Sequence, residues 1–328
     1  MTPKRLLRAT IAALLLPGLL PMLAAQAQGV AWVSSEKDNA LTLVDLKTLA
    51  VTATVPTCAR PRHMQRTPDG KTLLVACGDA GQADVIDLAS RRRLRLVALG
   101  SDPEIFDIAP DGKTLYVSNE EDAELGIVDL ASGKRTGAIK VGDEPEGVAL
   151  SADGKTAYVT SEVASLVHVI DLASGKVVKN LLVGKRPRRF ALTPNGAQLW
   201  VTNELDASVS VIDTKAQTVI DTLKFSVKGA RAADITPVGI TMSRDGKRAF
   251  VALGKANHVA FVDVASRKTT DLVLVGKRAW GLALDAAGKT LFVVNGMSDD
   301  MSIVDVASAK ASKTIKVGRV PHSVVVIE

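Results

Sequence analysis

The sequence predicts an all-β protein, a seven-bladed β-propeller built from four-stranded antiparallel blades. Two repeated markers indicate this fold. A Val/Ile-Asp pair recurs seven times, 42 residues apart except for one step of 50, and a turn of the Asp-Gly-Lys type recurs with the same period. A period of this length with several short β-rich runs is typical of propeller blades. The seven repeated aspartates are Asp45, Asp87, Asp129, Asp171, Asp213, Asp263 and Asp305.

One repeat unit shows why each period forms a blade. In the unit that starts at Pro145, residues 147–150, 156–160, 166–172 and 176–183 are four short runs rich in β-branched and apolar residues. Glycine- and aspartate-containing turns separate these runs. Runs of this length with such boundaries predict antiparallel strands joined by tight turns.

The two ends of the predicted propeller complete each other. Residues 30–34 match the second strand of a unit, and residues 320–327 match a first strand. The sequence therefore predicts a composite blade, made from both ends of the chain, that closes the ring and removes free sheet edges.

The segment before the repeats has the pattern of a secretory signal peptide. Lys4, Arg5 and Arg8 form a basic start, residues 11–23 are apolar, and residues 25–27 (Ala-Gln-Ala) resemble a cleavage site. Pro17 interrupts the apolar run, which is shorter than the roughly 20 residues that span a bilayer. We therefore expect a signal peptide at 1–27, a propeller at 28–328, a periplasmic location and no membrane span.

Composition excludes some partners. Removal of residues 1–27 removes three basic residues and no acidic ones, so the net charge falls from +6 to +3. The remaining charges are mixed in sign, and no basic run alternates with aromatic residues, as single-strand nucleic-acid binders require. Aromatic residues make up only 3% of the chain, which argues against an aromatic cofactor sandwich. We expect a monomer that does not bind nucleic acid.

The period also predicts where a ligand or partner would bind. Turns after strands one and three are nearly identical between units, whereas turns after strands two and four vary, and variable loops on a rigid scaffold usually carry binding. On the variable face, one register position at the start of each first strand rings the central pore. The predicted pore-mouth residues are Arg62, Glu104, Glu146, Arg188, Trp280 and His322.

Two interpretations of this ring of charges remain open. It can bind a small anionic or zwitterionic ligand, or a partner protein, and Arg188 is then the first candidate to hold a carboxylate with its guanidinium fork. Alternatively, glutamate and arginine on neighbouring blades pair with each other. The eight additional residues of the 50-residue step fall in residues 225–237, on the same face, as a candidate lid or an ordinary insertion.

The cysteines and histidines allow two further readings. Cys58 and Cys77 are the only cysteines and can form one disulfide in an oxidising compartment. With His63 and His322 they could instead hold zinc or copper, although the spacing matches no compact ligand motif. We expect the disulfide and no metal.

An enzyme is the less favoured alternative. No Gly-x-Ser-x-Gly motif or serine–histidine–aspartate order is present, so no catalytic residue is assigned. Glu146 and Glu162 are candidates for a lactonase-like hydrolase only because carboxylates in a narrow mouth can have raised pKa values.

The second strands resemble the YVTN repeat, as in residues 116–119 (Tyr-Val-Ser-Asn), 158–161 (Tyr-Val-Thr-Ser) and 200–203 (Trp-Val-Thr-Asn). Across the whole mature chain the sequence resembles the PQQ-dependent catabolism-associated β-propeller proteins. The segments that carry this resemblance are 142–147 (GDEPEG), 185–190 (KRPRRF), 237–240 (PVGI), 249–259 (AFVALGKANHV), 275–283 (VGKRAWGLA) and 295–306 (NGMSDDMSIVDV). In the last blade, His322 stands where the family pattern leads us to expect an aromatic residue.

This resemblance implies a binding or accessory module that supports alcohol oxidation by periplasmic quinoproteins. The implied partners are a quinoprotein dehydrogenase, a component of an ABC-type system, or a small anionic ligand. The residues themselves predict no cofactor, and the association with PQQ comes from the resemblance alone.

Overall fold

The computed structural model of the protein describes residues 29–328 and confirms the seven-bladed propeller. Each blade is a four-stranded antiparallel sheet with its first strand at the central channel. The predicted signal peptide, residues 1–27, lies outside the described residues.

The blades are numbered along the chain. Blade 1 contains β28 (Pro321–Ile327), β1 (Val30–Ser35), β2 (Ala40–Asp45) and β3 (Ala50–Pro56). Blade 2 contains β4 (Pro61–Arg66), β5 (Thr72–Cys77), β6 (Gln82–Asp87) and β7 (Arg92–Ala98). Blade 3 contains β8 (Pro103–Ile108), β9 (Thr114–Asn119), β10 (Glu124–Asp129) and β11 (Lys134–Lys140). Blade 4 contains β12 (Pro145–Leu150), β13 (Thr156–Ser161), β14 (Leu166–Asp171) and β15 (Lys176–Leu182). Blade 5 contains β16 (Pro187–Leu192), β17 (Gln198–Asn203), β18 (Ser208–Asp213) and β19 (Thr218–Lys224). Blade 6 contains β20 (Ile240–Met242), β21 (Arg248–Ala252), β22 (His258–Asp263) and β23 (Lys268–Leu274). Blade 7 contains β24 (Ala279–Leu284), β25 (Thr290–Asn295), β26 (Asp300–Asp305) and β27 (Lys310–Lys316).

Blade 1 closes the ring as the sequence predicts. β28 pairs antiparallel with β1, with Val30 opposite Ile327 and Val33 opposite Val324. β28 is thus the innermost strand of blade 1, and β1 is the strand next to it. Ladder hydrogen bonds between the two ends fasten the ring.

The hydrophobic core lies between blades rather than inside any one of them. Middle strands such as β14 are buried on both faces, whereas outer strands such as β15 are largely exposed. A strand covered on both faces needs a continuous apolar run, which accounts for sequences such as LVHVI in β14. Among the described residues, each pair of neighbouring blades shares one apolar cluster.

The repeated aspartates are turn residues. Oδ1 of Asp45 accepts a hydrogen bond from the backbone N–H of Thr48 at 2.7 Å, and Asp129 does the same with Ser132 at 2.7 Å. This local hydrogen bond gives a partner to a backbone N–H in the turn between strands three and four. Gly70, in the turn after strand one, has a φ of +72°, a conformation that a side chain would strain. The requirements of these turns therefore explain why the turns after strands one and three are nearly identical between units.

Within residues 29–328 no helix is long and apolar enough to cross a membrane. The helical segments of this part of the chain are short 3-10 turns at Gly78–Ala80, Glu204–Asp206 and Ala232–Asp234.

Candidate functional site

The candidate site is the end of the central channel where the first strand of each blade begins. In blade 2 the pairing of β4 with β5 shifts between Pro61 and Met64, so that Arg62 and His63 together face a single residue of β5. Such a β-bulge turns side chains out of the regular alternation. In each blade with such a bulge, the first of the two bulged residues lines the outer mouth. The second, such as His63 or Arg189, lines the deeper channel.

Hydroxyl groups of the second strands hold these bulges in place from the neighbouring blade. The Oγ of Ser34 donates to the carbonyl oxygen of Arg62 at 2.8 Å, and that of Ser118 donates to the carbonyl oxygen of Glu146 at 2.6 Å. The serine or threonine of the YVTN-like pattern is thus an inter-blade contact. It fixes the backbone from which the mouth side chains extend.

All six predicted pore-mouth residues line one cavity of about 340 Å³, the mouth cavity. They are Arg62, Glu104, Glu146, Arg188, Trp280 and His322. The seventh position of this register, Val238, is fully buried in the core. The repeat therefore placed the ring correctly in space.

The prediction missed a second ring that lies two residues earlier in each repeat. Arg60, Arg186 and Arg278 occupy the same position of their repeats once the single step of 50 residues is allowed for, and they also line the mouth cavity. Their φ angles are +55° to +58°, and this left-handed kink immediately before the first strand directs them to the rim. The same period could have located them.

Arg188 is not the free guanidinium that the sequence suggested. It is only 6% exposed. Its Nη2 lies 3.4 Å from Glu146, its Nε lies 3.6 Å from Glu204, and its Nη1 pairs with Glu162. These carboxylates come from blades 4 and 5, so Arg188 ties two blades together. For Arg188 the structure thus favours the interpretation in which glutamate and arginine on neighbouring blades pair with each other, because its charge is already balanced inside the protein.

The other central arginines are paired in the same way. Arg62 pairs with Glu104 of blade 3 and lies 3.8 Å from Glu36 of blade 1. Arg189, one residue deeper than Arg188, pairs with Glu146. Neighbouring glutamate and arginine side chains thus balance each other across most of the ring.

Burial and pairing set the ionisation of the two candidate carboxylates differently. Burial opposes ionisation of Glu146, but the guanidinium groups of Arg188 and Arg189 outweigh it and lower its pKa to about 2. Burial, reinforced by the charge of Glu146, raises the pKa of Glu162 to about 7. The two carboxyl groups form one coupled system around Arg188, in which Glu146 stays ionised.

Blade 7 provides a cation that is not balanced in this way. The guanidinium of Arg278 stacks over the indole of Trp280, 4.4 Å from the ring centroid. Within residues 29–328, no carboxylate oxygen lies within 4.0 Å of Arg278, whereas Arg60, Arg62 and Arg188 each have at least two carboxylate partners. The buried Nε1 of Trp280 has no hydrogen-bond partner in this part of the chain. Arg278 therefore offers an unpaired guanidinium at the mouth cavity, and the adjoining Trp280 holds a buried indole N–H without a partner in the described residues.

An acidic group lies in blade 3, on the other side of the ring. One carboxylate oxygen from each of Asp102, Glu104 and Glu120 lies within 4.8 Å of the others. Arg60 lies 3.2 Å from Asp102, and Arg62 pairs with Glu104. Glu120 lines the mouth cavity and has no ion-pair partner among the described residues.

The zinc or copper reading of the cysteines does not fit the structure. Cys58 and Cys77 are joined by a disulfide with a Cα–Cα distance of 5.8 Å, so no thiolate is free to bind a metal. Burial lowers the pKa of His63 to about 3, and His63 packs edge-on against Phe106. Burial and the nearby charges of the arginines also hold the pKa of His322 well below its ordinary value.

The eight-residue insertion is anchored to the core. Phe225, Val227 and Ile235 of the 225–237 loop are buried against Trp200 and Leu253, between blades 5 and 6. No residue of this loop lines the mouth cavity. The lid interpretation is therefore corrected: apolar packing holds the loop at the blade interface.

Comparison with known proteins supports the fold. Residues 206–320, which contain the last two strands of blade 5 and all strands of blades 6 and 7, match the model of the choice-of-anchor I domain. No significant match was found among curated proteins.

Several solved structures share the architecture. A protein of unknown function from Desulfotomaculum acetoxidans aligns with a TM-score of 0.79 at 16% identity, over 91% of this chain and 99% of that one. The periplasmic gluconolactonase PpgL from Pseudomonas aeruginosa aligns with a TM-score of 0.78 at 18% identity, over 92% of this chain and 99% of that one. The dihydro-heme d1 dehydrogenase NirN aligns with a TM-score of 0.68 at 16% identity, over 94% of this chain and 77% of that one. At these identities the likeness concerns the propeller fold.

Proposed function

We propose that this protein is a periplasmic binding module whose mouth cavity holds a small ligand bearing a carboxylate. The observation that carries the proposal is the pair formed by Arg278 and Trp280. Within residues 29–328 the guanidinium fork of Arg278 has no carboxylate partner and the indole N–H of Trp280 has no hydrogen-bond partner, and these donors match the two oxygens of a carboxylate. The cavity volume of about 340 Å³ suits a small molecule.

The stacked position of Arg278 favours this role. An arginine held against an aromatic face keeps its planar donors in one orientation, so less side-chain entropy is lost when a carboxylate binds. Ion pairs balance the charges of Arg60, Arg62, Arg186 and Arg188 at the mouth. An incoming anion is thus attracted to one side of the ring.

We further propose that the ligand belongs to PQQ-dependent alcohol catabolism. The support is the resemblance of the sequence to PQQ-associated propellers and the signal-peptide pattern at 1–27. PQQ itself and the organic acids formed by alcohol oxidation carry carboxylates that fit Arg278. A quinoprotein dehydrogenase or an ABC-type component is the proposed protein partner.

Replacement of Arg278 by Gln tests the carboxylate site. We expect binding of PQQ or succinate, measured by isothermal titration calorimetry, to weaken by about 1.5–3 kcal/mol, the range for hydrogen bonds to charged groups. Arg278→Lys should recover part of the loss, because a point charge replaces only part of a fork. Lys277→Gln removes the same charge from an exposed neighbour and is the control. Unchanged affinity in Arg278→Gln would place carboxylate binding elsewhere.

A lactonase-like hydrolase is the second candidate, favoured by one observation. The pKa of Glu162, raised by burial to about 7, lies where a general base works best. If Glu162 is that base, hydrolysis of gluconolactone should rise as the pH passes about 7, because the carboxylate must be deprotonated, and Glu162→Gln should abolish it. Initial rates from pH 5 to 8 provide the measurement. A wild-type rate equal to that of buffer alone would exclude this activity.

A further inference from the structure

The mouth cavity contains two charged side chains of opposite sign that have no ion-pair partner within the part of the chain that the structure describes. Glu120 begins the turn after β9 in blade 3, and Arg278 precedes β24 in blade 7. Three steps around the ring separate these blades, the largest separation that seven blades allow. Among the described residues, each of the two side chains has no oppositely charged group within 4.0 Å. The other lining charges, such as Arg62 and Glu146, are paired.

The surroundings of Glu120 disfavour its negative charge. Burial raises its pKa, and the charges of Glu146 and Asp102 add to this effect. The nearby Glu104 is 1% exposed, and its Oε2 has no hydrogen-bond partner among the described residues. A buried acceptor without a donor is costly, so the Oε2 of Glu104, beside the unpaired Glu120, favours an additional hydrogen-bond donor here.

We infer that the mouth cavity binds an amino carboxylate, with its carboxylate on Arg278 and Trp280 and its protonated amine on Glu120 and Glu104. The inference rests on the proposed carboxylate site. It adds a second binding position, the acidic pole formed by Glu120 and Glu104, on the opposite side of the cavity. An ammonium group has three donors and no acceptor, which suits a set of carboxylate oxygens with few donors of their own.

An ammonium group fits this pole better than a divalent cation does. Calcium takes six to eight oxygen ligands, whereas two of the three clustered carboxylates here already contact guanidinium groups. Arg60 lies 3.2 Å from Asp102, and Arg62 pairs with Glu104. These two positive groups would repel a doubly charged ion at short range, whereas the single charge of an amine is opposed less.

The test compares ligands that differ only in the amine. Calorimetric titrations with the ω-amino acids from glycine to 6-aminohexanoate are set beside titrations with the unsubstituted carboxylates of the same chain length. We expect at least one amino carboxylate to bind about tenfold or more tightly than its matched carboxylate, as a charge-assisted hydrogen bond allows. Glu120→Gln should remove this preference, so that the amino carboxylate and its matched carboxylate bind with equal affinity. Glu121→Gln, an exposed neighbour outside the mouth cavity, is the matched control and should keep the preference.

The possible outcomes separate the two proposals. If carboxylates bind and the amine adds nothing at any chain length, the amino carboxylate inference is wrong and the carboxylate site stands. If neither series binds, the proposed function itself fails. Calcium binding that competes with the amino carboxylates and is lost in Glu120→Gln would also overturn the inference, because a metal ion would then occupy this pole. Melting curves of each variant verify that the propeller remains folded.

Discussion

Replacement of Arg188 by Ala is expected to destabilise the propeller by about 3–5 kcal/mol, the cost of removing one partner from a buried ion pair. The change removes the cation that Glu146 and Glu162 share and leaves these two buried carboxylates with only Arg189 and Arg186 beside them. Urea unfolding at pH 7 measures the loss. A change below about 1 kcal/mol would show that Arg188 does not connect blades 4 and 5.

Two further variants test whether the expected loss of stability comes from the buried position of Arg188. Arg231→Ala removes an exposed arginine that pairs with Asp234 at 2.6 Å on the surface loop, and it should cost at most about 1 kcal/mol. In a double-mutant cycle, Glu162→Gln should cost less in the Arg188→Ala background than in the wild type. The physical reason is that neutralising Glu162 then relieves a buried charge that has lost its partner.

Deletion of residues 320–328 is expected to have the largest effect, more than about 5 kcal/mol. The deletion removes β28, exposes the edge of β1 and opens the ring. Burial of a side chain such as Val324 contributes about 1.5–3 kcal/mol, and each orphaned buried backbone group costs about 1–3 kcal/mol. Because whole domains are stable by about 5–15 kcal/mol, much of the truncated chain should be unfolded at 25 °C.

Circular dichroism and thermal melting of the truncated protein provide the measurement. Deletion of Glu328 alone is the control, since it shortens the terminus and leaves every β28–β1 pair intact. A truncated chain that melts within a few degrees of the full protein would contradict the role of β28 as the strand that closes the ring.

The repeat made much of the architecture predictable. A constant period maps each position to an equivalent place on a closed ring, so Asp45 and its counterparts marked the blades, and β28 could be assigned to blade 1. The same mapping brought Glu104 and Trp280 to one cavity although they are 176 residues apart. The period was sufficient to predict the blades and the residues of the mouth, because both depend only on the position of the backbone around the ring.

The pairing of the charges was decided only by the tertiary structure. The sequence indicated Arg188, which has conspicuous basic neighbours, and did not single out Arg278. In the folded ring, Arg188 lies between the carboxylates of Glu162 and Glu204, whereas Arg278 lies against Trp280 and away from acidic groups. Which arginine is available depends on side-chain reach across neighbouring blades, and a one-dimensional period carries no information on distances between blades. Thus the sequence by itself determined the ring and its mouth, and the packing of the blades decided which charges remain free to bind a ligand.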